Sequence, residues 1–411
     1  MNILVTGSAG FLGKNLVQYL HTLADGRNRT RPELKIDEIY EYDRDSTQEQ
    51  LEEYCEKAGW VVNLAGVNRP KDPAEFKAGN YGFASTLLDT LKRHHNTCPV
   101  MLSSSLQATL AGRFGESEYG KSKLAGEELF FSYAEETGAA VYVYRFPNLV
   151  GAGVRPNYNS AVGTFCYNYA HDLPITINDP SVELELLFAS DLIDELLDAM
   201  EGHPHRCEYP KPGELVDGVE YDGLTPRPCD DGRYCYCPVT HKATLGEIVA
   251  LLDKFKTHPQ TLLTPDFTPG CFEKKLYSMY LSYLPAEKTI FDLDMKVDNR
   301  GSFTELVHTP NSGQVSVNVC RPGITRGMHW HVNKMEEFIV VSGKARIRER
   351  NLFTNEIEEY IVDGTRIQSV IMKPMHTHEI TAIGDTDVVT IMTCNEVFDQ
   401  NHPDTFFEKI D

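Results

Sequence analysis

Between residues 2 and 145 short apolar runs alternate with amphipathic helical stretches, and from about Thr289 short β-rich runs follow one another with only turn signals between them. No single layer architecture satisfies both patterns. Strands separated by helices call for a parallel sheet with right-handed crossovers. Regularly spaced short strands call for an antiparallel sandwich or barrel. The spacing predicts strands at 2–6, 38–42, 60–65, 100–103 and 140–145, with helices at 11–23, 83–92 and 121–136. It then predicts strands at 314–319, 337–341, 345–350, 357–362, 369–372 and 387–392. The expected fold is therefore a doubly wound α/β domain over residues 1–285 followed by an all-β barrel over 286–411, a division that also suits a chain of 411 residues.

Residues 146–285 read as loops and helices, with helical periodicity at 189–200 and 245–255. Between those helices, 203–238 is rich in Pro, Gly, Asp and Cys and reads as a surface insertion. Cys229, Cys235, Cys237 and His241 cluster there without a usual zinc-knuckle spacing, so thiols are expected. Lysines and arginines number 39 against 60 acidic residues, a formal charge of −21. That argues against nucleic-acid or anionic-membrane partners, which demand basic surface, but a local arginine or helix end still suits an anionic substrate. The start, Met1-Asn2-Ile3-Leu4, lacks a basic leader, no apolar run approaches a membrane span, and the ten cysteines are scattered. A cytoplasmic location is expected.

Gly7, Gly10 and Gly13 stand three apart, directly after the first strand and opening a helix. Glycines here permit a tight turn and a close approach of backbone to a pyrophosphate, while the helix amino terminus supplies N–H groups and a positive dipole end. Gly7, Gly10, Phe11, Leu12 and Gly13 are thus the expected seat of a dinucleotide. The second strand ends at Tyr42-Asp43-Arg44. The acid suits a ribose 2′-hydroxyl and NADH; Arg44 suits a 2′-phosphate and NADPH.

Tyr119 and Lys123 lie four apart in a helical stretch and share a face. A nearby ammonium is expected to lower the phenol's pKa, making Tyr119 a general acid for a carbonyl oxygen that receives a hydride at carbon. Ser103, Ser104 and Ser105 end the preceding strand, where parallel sheets bind ligands. A hydroxyl there orients the same carbonyl.

This ordered set resembles the extended short-chain dehydrogenase/reductase family. Asn63-Leu64-Ala65-Gly66 resembles that family's third-strand motif, and Asn80 its following-helix asparagine. Residues 145–151 resemble the substrate-side turn of its sugar-nucleotide members, and Ala189-Ser190-Asp191-Leu192 its aspartate-bearing helix start. The resemblance implies a Rossmann-type fold with Ser105, Tyr119 and Lys123 as catalytic residues. Leu64, Ala65, Gly66 and Asn80 would stand at the cofactor, with Ser104, Arg145 and Asn148 at the substrate. Ser105 is the best match to the catalytic serine, its two neighbours remaining alternatives.

In the second half, Gly323, His329, His331, Glu336 and Gly343 form a Gly-x5-His-x-His-x4-Glu-x6-Gly string. Histidines two apart on a strand project from one face and can chelate one metal, a carboxylate on the next strand adding a third ligand. His378 is the favoured fourth, with His376 its rival. Imidazole and carboxylate suit zinc, and also manganese, iron or nickel. The string resembles the first cupin motif. Met375 departs from the second, which has glycine at that place.

The order reductase then cupin, with strings at 64–70, 156–160, 281–285, 300–305, 313–318 and 322–325, resembles a family of bifunctional capsular-polysaccharide enzymes over nearly the whole chain. The resemblance implies a UDP-sugar substrate and a homodimer. It also implies carbon-3 epimerisation of a UDP-4-keto-6-deoxy-N-acetylhexosamine by the cupin, followed by NADPH-dependent reduction of the carbon-4 ketone. His376, Lys334 and Glu337 are candidate bases. The alternative is a nucleotide-sugar reductase whose cupin serves only for dimerisation or sugar binding.

Overall fold

The computed structural model describes residues 1–68, 72 and 74–410. Arg69 and Pro70, which end the 64–70 string, lie outside the described residues. The chain forms two compact units, Met1–Ala250 with Ser278–Tyr283, and Leu251–Tyr277 with Leu284–Asp411. In the second, the excursion 251–277 meets the barrel through a bridge from Leu263 to His308.

The first unit is built on β1 (Ile3–Thr6), α1 (Phe11–Ala24), β2 (Ile39–Tyr42), α2 (Gln48–Lys57), β3 (Trp60–Asn63), α3 (Ala74–Phe76), α4 (Phe83–Arg93), β4 (Val100–Ser105), α5 (Glu118–Thr137) and β5 (Val141–Phe146). These five strands pair in parallel in the order β2-β1-β3-β4-β5. Every residue of β1 and β3 is buried, as expected of a sheet covered on both faces. Alternation along the strands sorts their side chains. Ile3, Val5 and Met101 join Leu16 and Leu20 of α1 on one side, while Leu4, Val100 and Leu102 join Leu87 of α4 and Phe130 of α5 on the other. The chain leaves β2 at one edge and returns on the far side of β1, so the strand order reverses between β1 and β3. Ligands of open α/β sheets bind at that reversal, beyond the carboxyl ends of the strands.

Two regions differ from expectation. Residues 148–150 and 183–188, expected as loop and helix, form a parallel strand pair, Asn148–Val150 with Glu183–Phe188. The 203–238 segment is not wholly a surface insertion. Arg206–Glu208, Arg227–Pro228 and Tyr234–Cys235 extend the main sheet beyond β5, and Cys207 and Cys235 are buried there. Turn-forming residues between these short strands masked them. All ten cysteines are thiols. Among the described residues no helix is long and apolar enough to cross a membrane.

The second unit is antiparallel. One sheet orders Met295–Asp298, Gly301–His308, Gln314–Cys320, Val388–Cys394, Glu336–Ser342 and Ser369–Met372. The other orders Ile357–Asp363, Lys344–Asn351, His376–Ala382, Thr325–Trp330 and Phe406–Phe407. Phe338, Val340, Ile347 and Ile380 pack the space between them. Apolar spacing missed Gly301–His308, Thr325–Trp330 and His376–Ala382, where polar and charged residues interrupt the alternation, although the histidine string had put His329 and His331 on a strand.

Candidate functional site

The glycine loop has the geometry that its spacing demands. Gly7 holds φ at +71°, and a Cβ there would lie 2.8 Å from the Ala65 nitrogen. A Cβ at Gly13 would lie 2.2 Å from the Gly7 carbonyl oxygen. Gly10 caps α1 without a side-chain hydrogen bond, and the first turn carries no acid. Its N–H groups and dipole are therefore offered to an anion. Phe11 and Leu12 open the helix, Leu12 buried. The Gly13→Ala variant is expected to lose about 1–3 kcal/mol of stability, read by thermal melting, because the clash is with backbone.

Asp43 is spoken for: its carboxylate accepts from the Ala9 N–H at 2.8 Å and the Arg44 N–H at 2.8 Å. The Arg44 side chain is exposed. Leu64, Ala65 and Gly66 follow β3, the first two against Gly7. Asn80, buried on the π-helical turn Lys77–Gly82, clamps this segment. It accepts from the Val67 N–H at 2.8 Å and donates to the Val67 carbonyl and the Ser122 hydroxyl, each at 2.9 Å. A Cβ on Gly66 would meet the Asn80 oxygen at 2.9 Å and the Lys123 ammonium at 3.1 Å. A side chain here would have to displace Asn80 and Lys123, the groups that clamp this turn.

α5 begins at Glu118, capped by the Ser117 hydroxyl, and carries Tyr119 and Lys123 one turn apart. Lys123 is 7 % exposed and donates to the Ser103 carbonyl at 2.8 Å. Burial lowers its pKa to about 8, partly offset by the Glu127 carboxylate. Tyr119 bonds to Ser105 through its phenol, and Phe76 packs against its ring at 5.6 Å. Contrary to expectation, its pKa is pushed up to about 12, because burial outweighs the Ser105 hydrogen bond. The Lys123 nitrogen lies 5.8 Å from the Tyr119 ring centre. The phenol is thus held protonated, as a proton donor must be.

The three serines separate. Ser105 meets Tyr119, Ser103 offers its carbonyl to Lys123, and Ser104 donates its hydroxyl to Glu127. Ser104 shares the β4 face of Val100 and Leu102, beneath α5. Arg145, expected at the substrate, also binds Glu127, at 2.7–3.2 Å, and donates to the Tyr234 hydroxyl at 2.8 Å. Both side chains are buried. They brace α5 through Glu127, a buried carboxylate requiring such partners. Glu127 is the residue that sequence reasoning missed; its i+4 spacing from Lys123 was the available signal. Asn148 is exposed and donates to the Glu185 carbonyl at 3.0 Å.

In the barrel, His329, His331, Glu336 and His378 converge, with ligand atoms within 4.8 Å of one another. The Glu336 oxygen stands 3.9, 3.6 and 3.4 Å from the Nε2 atoms of His329, His331 and His378. A bulge between Gly327 and His329 sets His329 opposite His378. His331 is oriented through its Nδ1 by the Asp404 carbonyl. His331 Nε2, His378 Nε2 and Glu336 Oε2 are buried without hydrogen-bond partners. Orphaned atoms of this chemistry, aimed at one point, fit a divalent cation. The three histidines hold the Glu336 carboxyl well below its usual range although burial opposes them. His376 is not in the cluster; its Nδ1 lies 2.9 Å from the Pro374 carbonyl. Cys229, Cys235, Cys237 and His241 form no such cluster among the described residues.

Of the cluster, His329 and Glu336 line a cavity of about 370 Å³. Of the three candidate bases, Lys334 lines it, whereas Glu337 accepts from Ser369 at 3.2 Å.

Residues 3–207 match the NAD dependent epimerase/dehydratase family, and 296–406 match the polysaccharide biosynthesis C-terminal domain. The chain is 35% identical over 406 residues to the UDP-2-acetamido-2,6-beta-L-arabino-hexul-4-ose reductase of Pseudomonas aeruginosa PA103, covering 99% of this chain and 98% of that protein. Among solved structures it matches the capsular polysaccharide assembling protein CapF of Staphylococcus aureus with TM-score 0.82 and 44% identity, each chain covered in full. A UDP-glucose 4-epimerase of Thermotoga maritima, at 17% identity and TM-score 0.50, covers 70% of this chain and 99% of its own and shares the fold alone.

Proposed function

The chain belongs to the family of the staphylococcal CapF protein and the Pseudomonas UDP-sugar reductase, and on that premise we propose that it is a bifunctional nucleotide-sugar enzyme of surface-polysaccharide synthesis. Residues 286–411 epimerise carbon 3 of a UDP-4-keto-6-deoxy-N-acetylhexosamine. Residues 1–285 then reduce the carbon-4 ketone with NADPH. The product is UDP-N-acetyl-6-deoxy-L-talosamine, a precursor of UDP-N-acetyl-L-fucosamine. The enzyme acts in the cytoplasm as a homodimer. The observation that carries the reading is the Tyr119 phenol bonded to Ser105 and next to Lys123, beyond the sheet's carboxyl ends.

When bound, the dinucleotide supplies a hydride. Gly7, Gly10 and Gly13 would seat its pyrophosphate, and Lys123 would hold the nicotinamide ribose. Arg44 is exposed while the Asp43 oxygens serve the loop amides, which supports NADPH over NADH. Ser105 orients the ketone oxygen, and Tyr119 delivers the proton that oxygen needs as carbon 4 accepts hydride. The Lys123 ammonium stabilises the resulting phenolate.

His329, His331, Glu336 and His378 would hold zinc or a related divalent ion, which when bound supplies positive charge beside the substrate carbonyl. The order of steps follows from chemistry. The carbon-4 ketone acidifies the carbon-3 proton, and its reduction ends epimerisation.

The charged form of Lys123 is the working one, and its pKa is lowered to about 8. The rate of reduction is therefore expected to be full at neutral pH and to fall as pH rises through about 8. Lys123→Arg should move that limb upward, as pH profiles of NADPH oxidation would register. The epimerase is tested by incubating substrate in D₂O without NADPH. Deuterium entering at carbon 3 supports it. Absent exchange with reduction intact leaves the barrel as a dimerisation or sugar-binding module.

A further inference from the structure

The strand Gln314–Cys320 is inverted with respect to its sequence. Val315, Val317 and Val319 would be expected to face a core, yet Gln314, Ser316 and Asn318 are the buried set, at 5, 1 and 4 % exposure. These three line the 370 Å³ cavity. A polar ladder on the inner face of a barrel costs free energy unless something hydrogen-bonds it. The Ser316 hydroxyl is buried with no partner.

The ladder runs between two differently charged ends. Gln314 pairs with Cys394, which pairs with Glu336, so one end is level with the histidine cluster. Asn318 pairs with Phe303, which pairs with Lys296. Arg326 reaches the same level, donating to the Ser302 and Val319 carbonyls at 3.1 and 3.2 Å, and Arg300 lines the cavity beside it. Four residues of strand, about 13 Å, separate the ends. In a chain of formal charge −21, this cavity is lined by four cationic side chains and two carboxylates. Arg300 donates from Nη2 and Nε to one Asp298 oxygen at 2.6 and 2.9 Å. Burial, and then Arg300, hold Arg326 below the usual arginine range.

We propose that this cavity is a sugar-diphosphate site, in which Arg326, with Arg300 and Lys296, receives the diphosphate and the Ser316–Asn318 ladder receives the polar groups of the sugar. It rests on the reading of the barrel as a nucleotide-sugar centre and adds the orientation: the ring toward the histidines, the phosphates toward Arg326. Guanidinium forks suit phosphate oxygens, and a site that hydrogen-bonds a sugar rejects apolar occupants of the same size.

The test is calorimetric titration of the metal-loaded full chain with UDP. Two binding events per chain are expected, one for each centre. Arg326→Gln should weaken one of them about 10–100-fold, and Arg326→Lys should restore part of the loss. Arg300→Gln is the second variant should the first fold poorly, with melting temperature and metal content as controls. A single event in the unaltered chain, or two events untouched by either substitution, overturns the proposal. Carbon-3 deuterium exchange is measured separately. If exchange is absent but one UDP event depends on Arg326, the epimerase reading falls and the subsite stands. If exchange occurs and no UDP event depends on either arginine, the subsite falls and the epimerase stands.

Discussion

Tyr119→Phe is expected to lower ketone reduction by about 10²–10⁴-fold, the usual worth of a positioned general acid. The substitution removes one oxygen and leaves the ring that packs on Phe76 at 5.6 Å. Dinucleotide affinity should change little, because the proposed seat at Gly7, Gly13 and Lys123 is untouched. Without the phenol, hydride arriving at carbon 4 leaves an alkoxide with only Ser105 to serve it, and Ser105 also accepts from the Gln107 N–H at 3.2 Å. Stopped-flow NADPH oxidation on the 4-keto sugar, with dinucleotide binding followed by fluorescence, separates the two effects. Retention of more than a tenth of the rate would assign the proton to another donor.

The second large effect is expected in the barrel. Stripping metal with a chelator should take carbon-3 deuterium exchange to background, and adding zinc back should restore it. Glu336→Gln should weaken metal binding by more than the roughly 10–100-fold typical of a supporting residue, since Glu336 is the one carboxylate among three imidazoles. An amide there also ends the attraction that draws the three Nε2 atoms together. Metal content by mass spectrometry and exchange by NMR are the measurements. Exchange that survives full metal removal would confine the cluster to holding the barrel together.

Much of the α/β half was legible because its signals are local. A glycine at +71° and a glycine whose Cβ would strike the preceding turn are consequences of a strand running straight into a helix. Tyr119 and Lys123 share a face by helical period alone. The direction of the Tyr119 shift was not legible. Spacing brings in the ammonium but says nothing of how much solvent the sheet and Phe76 exclude, and burial is the larger contribution. Glu127 was passed over because its partners Ser104 and Arg145 arrive from two different strands, and Tyr234, which takes a hydrogen bond from Arg145, from a third.

The sequence by itself determined the order of elements, the change from helical crossovers to antiparallel strands, the glycine cradle and the histidine spacing, since each depends on residues within a turn or two of one another. Tertiary structure alone decided that Ser105 and not Ser104 meets the phenol, that His378 joins the cluster while His376 does not, and that Ser316 faces inward where the valines beside it do not. The serine cases are questions of which face of a strand points where, whereas His376 shares the face of His378 and is kept out by its place at the strand's start, its Nδ1 turned to the Pro374 carbonyl. A one-residue slip exchanges the faces, and that phase is set by register against neighbouring strands, by the bulge beyond Gly327 and by what each face packs against.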